Sequence, residues 1–419
     1  EKAAKEDGGS VTENYTFVFI IDDWGYSKGG INVFNKLLCE AMSRLAHSKV
    51  VCVVQNVSAD KERQTTENGI EILYISKENN NEKIIAKKIK NITCKDSKII
   101  FVGHDVQTGK MAIKCKKRFL NSKCIIIHHM AYAEYYPILN MDYEVSEAKE
   151  NLQREVLQQA DMVFANGVTL EKSAQDIVGD EVPVFRIYPG VSEVEPRKNN
   201  NTFKVVTFGR IEQGKGLKKN NTIIKETYLA LAAWANFTKK YCREEETTMK
   251  IYGKNGDDNS VDKEMEELLK QYSDKVYAVS IVPYMENRKQ LLTKLSELSL
   301  CLVLSLREGF GLTALEAVSA GVPLIVSKRS GFYKSLEELR LDNYVYGVDI
   351  QGKRDYPYYS DTDLENTSNA IYSVFRYQQD AKNKTIELRE RLKNCGFTWE
   401  QCAKTIIEKV TENWDTGVK

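Results

Sequence analysis

Short runs of apolar residues alternate along the chain with longer segments of helical periodicity. The runs are continuous rather than alternating, which is typical of strands buried on both faces, and the helices between them indicate parallel sheets. The runs form two series, namely 17–22, 50–55, 71–76, 99–105, 124–129, 162–166 and 184–190, and then 205–210, 249–253, 276–284, 300–305 and 323–327. The pattern therefore predicts an α/β chain with two doubly wound domains.

A polar stretch separates the two series. Residues 191–202 read VSEVEPRKNNNT, with one Pro and three consecutive Asn, and this composition favours a linker. Ligands of open α/β sheets bind beyond the carboxyl ends of the strands, so we expect the functional site in a cleft between the domains. The predicted units are a flexible tail over 1–15, an acceptor-side domain over 16–198, a donor domain over 199–396, and a C-terminal helix over 397–419 that packs toward the first domain.

The composition is that of ordinary globular domains. Of 419 residues, 42% are hydrophobic and 28% are charged, and 60 Lys and Arg against 59 Asp and Glu leave a net charge of +1. This balance does not indicate a nucleic-acid partner. The nine cysteines contain no CxxC pair, which favours a reduced protein. A charged start and the lack of a long apolar run predict no targeting signal and no transmembrane segment, so we expect a cytoplasmic protein.

The strongest chemical signal lies in LSLREGFGLTALEAVSAGVPLIVS, residues 304–327. A strand is predicted to end at Glu308, and after a Gly-rich turn a helix is predicted to start near Leu312. The free backbone amides at that helix N-terminus would suit a phosphate. They belong to Gly311, Leu312 and Thr313. Glu308 could accept hydrogen bonds from sugar hydroxyls and Glu316 from a ribose, although two solvated glutamates beside a core turn are the alternative.

A second signal lies in residues 205–234, which read as a strand, a turn and a helix. Gly209 to Lys215 fits the G-x-x-x-x-G-K of a nucleotide-triphosphate loop, but Gly216 occupies the position whose hydroxyl should hold magnesium. In a second interpretation, Arg210 and Lys215 are two cations that reach into the cleft. Arg210 would bind a diphosphate through two parallel hydrogen bonds, and Lys215 would contribute a single positive charge. A solvated basic turn is the remaining alternative.

The first half of the chain holds weaker candidates. Gly29 and Gly30 precede a predicted helix, where they would let the backbone approach a phosphate or sugar, or simply form a tight turn. Three of the four histidines close predicted strands on the cleft side, and structural and catalytic roles are equally compatible with their clustering. They are His104, His128 and His129. Tyr284, after the strand SIVP, is a candidate for the base pocket or for the core.

Together these motifs resemble those of the GT-B glycosyltransferases of retaining family 4 and the glycogen-synthase-like superfamily. Glu308 to Glu316 is similar to the E-x7-E motif of that superfamily, and FGRIEQGKGL (208–217) is similar to its G-R-L-x-x-x-K-G-L. GHDVQTG (103–109) resembles H-D-W-x-T-G, and IHHMAY (127–132) resembles I-H-N-L-A-Y. The matches run in the family's order over most of the chain.

Three positions depart from the family pattern. Lys28 stands immediately before Gly29, whereas the synthase branch has its Lys two residues before the Gly pair. Val106 replaces the Trp that follows His-Asp, and His129 stands at the position of the family's Asn. The contacts with the acceptor are the part of the site that the Val106 departure affects.

The resemblance implies two Rossmann-like domains facing a central cleft. It also implies a retaining transfer of a hexosyl group from a UDP-, GDP- or ADP-sugar to a hydroxyl acceptor, with no metal or other cofactor. Catalytic roles fall to His128, Arg210, Lys215 and Glu308; donor binding to Gly29, Gly30, Gly311, Leu312, Thr313, Glu316 and Tyr284; and acceptor contacts to His104, Asp105 and His129. The acceptor could be a carbohydrate, a small molecule, a lipid or a protein.

Other functions stay open at this point. One is a decayed GT-B module that binds a sugar nucleotide without turnover, which the complete set of glutamates and cations disfavours. A second is a P-loop-like nucleotide triphosphatase, which Gly216 disfavours. A third is a phosphorylase or hydrolase on the same fold. The segment QGKRDYPYYSDTD (351–363) matches no family motif, and we expect a solvated insertion there rather than a specificity loop.

Overall fold

The chain forms two largely parallel sheets flanked by helices, one from each half of the sequence. The computed structural model describes residues 15–26, 29–45, 48–94, 97–136, 143–196, 202–211, 225–241, 247–254, 260–272, 279–283, 285, 287–353 and 357–414. Each sheet has helices on both faces, because its strands are apolar on both faces and need cover on each side. The predicted doubly wound α/β fold is confirmed.

The first sheet has eight strands in the order β3-β4-β2-β1-β5-β6-β7-β8. They are β1 (Tyr15–Ile21), β2 (Ser48–Val57), β3 (Arg63–Glu67), β4 (Ile70–Ser76), β5 (Lys98–His104), β6 (Ser122–His128), β7 (Met162–Asn166) and β8 (Val184–Ile187). The helices of this half are α1 (Gly30–Met42), α2 (Glu82–Ile92), α3 (Asp105–Lys116), α4 (Tyr132–Tyr135), α5 (Tyr143–Gln158) and α6 (Val168–Val178). All neighbouring strands are parallel except β3 and β4.

The second sheet has six parallel strands in the order β11-β10-β9-β12-β13-β14. They are β9 (Phe203–Ile211), β10 (Thr247–Lys254), β11 (Val279–Pro283), β12 (Leu300–Val303), β13 (Leu324–Ser327) and β14 (Tyr346–Val348). Its helices are α7 (Thr227–Tyr241), α8 (Ser260–Lys270), α9 (Arg288–Leu295), α10 (Leu312–Ser319), α11 (Gly331–Glu338), α12 (Asp361–Arg376) and α13 (Gln378–Asn394). The last helix, α14 (Trp399–Glu412), returns to the first sheet.

Each predicted apolar run contains a strand, whereas two strands had no such run. β3 reads RQTTE and is polar because it is an edge strand, paired on one side only. It joins β4 through Asn68 and Gly69, which have φ angles of 50° and 78°. Positive φ at both central residues is the geometry of a tight two-residue hairpin, for which Asn-Gly is the preferred sequence. The Asn68-Gly69 dipeptide was therefore the feature of the sequence that could have predicted β3.

The expectation of a solvated insertion over 351–363 is wrong at two positions. Tyr359 and Asp363 are buried. The carboxylate of Asp363 accepts the backbone N–H of Gln351 at 2.9 Å and of Gly352 at 3.0 Å. This segment is therefore attached to the start of α12, while residues 354–356 lie outside the described residues.

No helix within the described ranges is both long enough and apolar enough to span a bilayer.

Helix α14 belongs to the core of the first sheet. Ile406 is fully buried there, whereas its neighbour Ile407 is only partly buried. We expect Ile406→Ala to lower the free energy of unfolding by about 2–5 kcal/mol, because the lost methylenes leave a cavity in a packed core. Ile407→Ala is the matched control and should cost clearly less. Urea unfolding measures both, and equal losses would contradict this packing of α14.

Candidate functional site

The loop between β12 and α10 carries the first glutamate of the site. The strand ends at Val303 rather than at Glu308 as predicted, and Glu308 instead forms an isolated parallel bridge with Ser330. The reason is local: Gly331 N–H donates to the Glu308 carbonyl at 3.2 Å, which ties the loop to the start of α11. A Cβ on Gly331 would lie 1.7 Å from the carbonyl oxygen of Gly309, so this packing requires glycine.

The Glu308 side chain has one paired and one unpaired oxygen. Lys225 Nζ donates to Oε1 at 2.9 Å. The other oxygen, Oε2, is buried and has no hydrogen-bond partner. Buried polar atoms in proteins are usually satisfied, so this oxygen is open to a donor from a bound water or from a ligand.

Helix α10 begins at Leu312, as predicted. Its N-cap residue is Gly311, with a φ of 103° that a residue with a side chain rarely adopts. The backbone N–H groups of Gly311, Leu312 and Thr313 donate to no group in the described part of the chain. These amides and the positive end of the helix dipole are therefore available to an anion.

The second glutamate lies one turn into α10 and is not free. Arg288 Nη1 donates to Glu316 Oε1, and Arg288 Nη2 donates to Ser192 Oγ at 3.0 Å. The arginine side chain is 11% exposed and that of the glutamate 15%. The pair with Arg288 fixes the position of this partly buried carboxylate.

The glycine pair of the first half lies against this helix. Gly29 is the N-cap of α1, with a φ of 104°. A Cβ on Gly30 would lie 3.2 Å from Leu312 Cδ1, so the starts of α1 and α10 are in close contact. The structure thus brings together two motifs that are more than half the chain apart in sequence.

Asp105 organises the strand ends of the first sheet. It has a φ of 41°, which is uncommon for a residue with a side chain. Its Oδ1 is 2.7 Å from His128 Nδ1, and its Oδ2 accepts the backbone N–H groups of His129 at 2.7 Å and Met130 at 3.2 Å. Burial alone would raise the pKa of Asp105, but the contact with His128 and the backbone N–H of His129 outweigh it and lower the pKa.

His128 is fully buried with both ring nitrogens engaged. Its Nδ1 contacts Asp105 and its Nε2 is 3.3 Å from Ser173 Oγ. The ring therefore holds α3, β6 and α6 together at this edge of the sheet. Contact with a ligand through Nε2 would have to replace the serine hydroxyl.

The other two strand-end histidines form a hydrogen-bonded chain. His104 Nδ1 is 2.9 Å from His129 Nε2, and His104 Nε2 is 2.9 Å from Asn35 Oδ1. Asn166 Nδ2 is 2.8 Å from His129 Nδ1. Burial lowers the pKa of His129 to about 4 and that of His104 well below its usual value. Both rings are therefore neutral at pH 7.

Three of the predicted site residues cannot be placed. Lys215 and Tyr284 lie outside the described residues, and so does the side chain of Arg210, whose backbone belongs to β9. Their assignment stays a prediction.

Sequence reasoning missed the partners of the predicted residues. They are Lys225, Arg288, Asn35, Asn166, Gln153 and Ser173. Each lies far along the chain from the group it contacts. An Arg or Asn in a helix or at a strand end carries no local signal of such a contact.

The neutral histidines predict a pH dependence of stability. Unfolded His129 titrates near pH ~6.5, whereas the folded residue has a pKa of about 4. Between these values the unfolded chain binds a proton that the folded chain does not. Stability should therefore fall as the pH is lowered through this window, by up to about 1.4 kcal/mol per pH unit for this group. His129→Asn should flatten the slope between pH 6.5 and 4 in urea unfolding, and an unchanged slope would contradict the assignment.

A family model, Family 4 Glycosyltransferase in conflict systems, matches residues 18–406. No curated protein sequence matches the chain significantly.

Solved structures resemble most of the chain. A sucrose-phosphate synthase from Thermosynechococcus elongatus is 17% identical, with a TM-score of 0.69 and coverage of 96% of this chain and 100% of that chain. A UDP-forming alpha,alpha-trehalose-phosphate synthase from Burkholderia xenovorans, in complex with glucose-6-phosphate, is 9% identical, with a TM-score of 0.65 and coverage of 94% and 100%. A trehalose-6-phosphate structure from E. coli, bound with UDP-2-fluoro glucose, is 11% identical, with a TM-score of 0.64 and coverage of 94% and 98%.

At these identities the solved structures show a shared fold, that of the GT-B glycosyltransferases with two Rossmann-like domains. The family model adds the family, because its match spans most of the chain. The chain belongs to the family 4 glycosyltransferases in conflict systems.

Proposed function

We propose that the protein is a retaining glycosyltransferase that moves a hexosyl group from a nucleoside diphosphate sugar to a hydroxyl acceptor without a metal ion. The observation that carries the proposal is the β12–α10 loop. Within a few residues it holds a buried orphan oxygen on Glu308 and three free amides at the start of α10. The glutamate oxygen suits a sugar hydroxyl, and the helix amides suit a phosphate. The sugar and the diphosphate of one donor molecule could therefore bind at adjacent groups of this loop.

The diphosphate is stabilised by the protein's own positive groups. Charge develops on the departing phosphate, and groups fixed in advance of the reaction stabilise it most effectively. We assign this role to the amides of Gly311, Leu312 and Thr313, together with Arg210 and Lys215 of the G-R-x-x-x-x-K segment. In the described part of the chain, no three His, Cys, Asp or Glu side chains are grouped as a metal site would need.

The transferred sugar and the ribose of the nucleotide bind to different glutamates. Glu308 Oε2 accepts from a hydroxyl of the transferred sugar, while Lys225 holds Oε1. Glu316 accepts from the ribose through the oxygen that Arg288 leaves free. Gly30 beside Leu312 lets the α1 backbone approach the donor. His128 reaches the donor sugar only if Nε2 exchanges its 3.3 Å contact with Ser173 for a sugar hydroxyl.

The reaction balances without an added reagent. The acceptor oxygen forms a bond to the anomeric carbon as the bond from that carbon to the diphosphate breaks. The acceptor proton passes to the departing phosphate oxygen, and one nucleoside diphosphate is released. The family resemblance supports a short-lived oxocarbenium-like species attacked on the face that the leaving group has left, which gives retention. The UDP-2-fluoro glucose bound by the E. coli structure supports a UDP-sugar as the first donor to test.

Glu308→Gln tests the place of the sugar. We expect kcat to fall roughly 10- to 100-fold, because a charged acceptor becomes a neutral one at the transferred sugar. Affinity for UDP should stay within about threefold, since the diphosphate is bound by other groups. Glu408→Gln, at an exposed position of α14, is the matched control. Release of nucleoside diphosphate from UDP-glucose, GDP-mannose and ADP-glucose measures activity, and wild-type turnover by the variant would contradict the role.

Arg210→Ala and Lys215→Ala test the place of the diphosphate. Each should lower activity with the accepted donor at least about tenfold, because a contact to developing charge is lost. Lys334→Ala removes an exposed lysine of α11 and serves as the control. Activity of both cation variants within a few-fold of wild type would contradict the assignment. Binding of the donor without turnover by wild-type protein would instead favour the decayed module.

A further inference from the structure

A buried carboxyl group lies behind the candidate site, at the start of α7. It belongs to Glu226, which directly precedes the helix and is 1% exposed. The preceding residue is Lys225, whose Nζ donates to Glu308 Oε1 at 2.9 Å. Glu226 Oε1 is buried and has no hydrogen-bond partner in the described part of the chain. None of the donor contacts proposed above uses this carboxyl group.

The backbone of Glu226 is strained. Its φ is 54°, in the left-handed region that residues with a side chain rarely adopt. Its carbonyl oxygen accepts the N–H of Ala230 at 2.9 Å, and this bond begins the helix. Such conformations persist where the surrounding contacts over-determine them. The contacts of the Glu226 side chain therefore hold the start of α7, and with it the backbone of Lys225, in one arrangement.

The Glu226 side chain meets the loop of Glu308 at Gly352. A Cβ on Gly352 would lie 3.2 Å from Glu226 Oε1 and 2.7 Å from Leu306 Cδ2. Leu306 belongs to the loop between β12 and α10, two residues before Glu308. The N–H of Gly352 donates to Asp363 Oδ2 at 3.0 Å, which attaches the same segment to α12. The start of α7, the loop of Glu308 and the start of α12 therefore come together at one glycine.

Glu226 is uncharged at neutral pH. Burial, together with the negative charge of Asp363, raises the pKa of Glu226 to about 9. Leu306 and Gly352 carry no charge, so among the described residues Glu226 faces the carboxylate of Asp363 from α12 and has Lys225 beside it in the chain. An ionised Glu226 would be repelled by Asp363 and would compete with Glu308 for Lys225.

We propose that Glu226 is a positioning residue for the transferred sugar, because it holds the start of α7 against Gly352 and thereby keeps Lys225 on Glu308 Oε1. The inference rests on the proposed function, in which Glu308 Oε2 accepts from a hydroxyl of that sugar. Without Lys225 on one oxygen, the carboxylate of Glu308 could rotate, and Oε2 would lose its fixed direction. An uncharged acid suits this position because it places no competing anion behind the lysine.

The pH profile of turnover tests the role of the uncharged form. Glu226→Gln replaces the acid by an uncharged side chain of the same shape. Wild-type kcat relative to that of Glu226→Gln should fall about fourfold between pH 7.5 and 9.5, because the protonated fraction of a group with a pKa of about 9 does so. Glu226→Ala should lower kcat at pH 7.5 about tenfold, with UDP affinity within about threefold of wild type. Lost packing alone would not produce a difference between glutamate and glutamine that grows with pH.

A double-mutant cycle tests the position of the lysine without any substrate. Lys225→Met, Glu308→Gln and the double variant give the interaction between these two side chains in urea unfolding. This interaction should fall by about half or more between pH 7.5 and 9.5 in the presence of Glu226, and clearly less in the Glu226→Gln background. Glu365→Gln is the matched control, because it removes an exposed carboxylate that pairs with Lys240 between α12 and α7.

The outcomes separate this inference from the proposed function. Parallel pH profiles of wild type and Glu226→Gln would overturn the inference, and so would a Lys225–Glu308 interaction that falls equally with pH in both backgrounds. If Glu226→Ala does not fold, Glu226→Gln carries the test. Absence of turnover with every nucleoside diphosphate sugar would instead count against the proposed function, because the cycle in urea needs no donor and is still read.

Discussion

The site depends on the close approach of Gly309 to the carbonyl oxygen of His129. A Cβ at Gly309 would come within 2.2 Å of that oxygen, and no side-chain rotation could relieve a clash with backbone. The contact places a loop of the second sheet against the strand ends of the first sheet. It also leaves the side chain of Glu308 beside the junction, with one oxygen held by Lys225. A larger residue would separate the two sheets at this contact.

Charge at the site is largely paired before any ligand arrives. Glu308 is paired with Lys225, Glu316 with Arg288, and Asp105 is surrounded by ring and backbone N–H groups. Partly buried carboxylates require such partners, since desolvation of an unpaired charge costs several kcal/mol. The pairs therefore position oxygens and contribute little net field. In the proposed function, attraction for the diphosphate therefore falls to the helix amides and to cations that the glutamates do not neutralise.

The sequence alone predicted those features that short local patterns encode. Continuous apolar runs marked the parallel strands, and a Gly-rich turn between Glu308 and Glu316 marked the start of α10. The partners could not be predicted, because Lys225 lies 83 residues from Glu308 and Arg288 lies 28 residues from Glu316. Only the fold brings these pairs together. The same holds for Asn35 and Asn166, which read as ordinary polar residues of a helix and a strand end.

Asp105 explains why the strand ends keep this geometry. Its φ of 41° is unfavourable, and such conformations persist where the surrounding contacts over-determine them. Here its carboxylate binds the ring of His128 and the amides of His129 and Met130, so the bonds that hold the residue also orient the peptides after β6. Orientation of those peptides sets the direction of the His129 carbonyl. Asp105, at the start of α3, thus orients the carbonyl that Gly309 of the β12–α10 loop approaches. The strained residue and the glycine are both needed for this contact between the two halves of the chain.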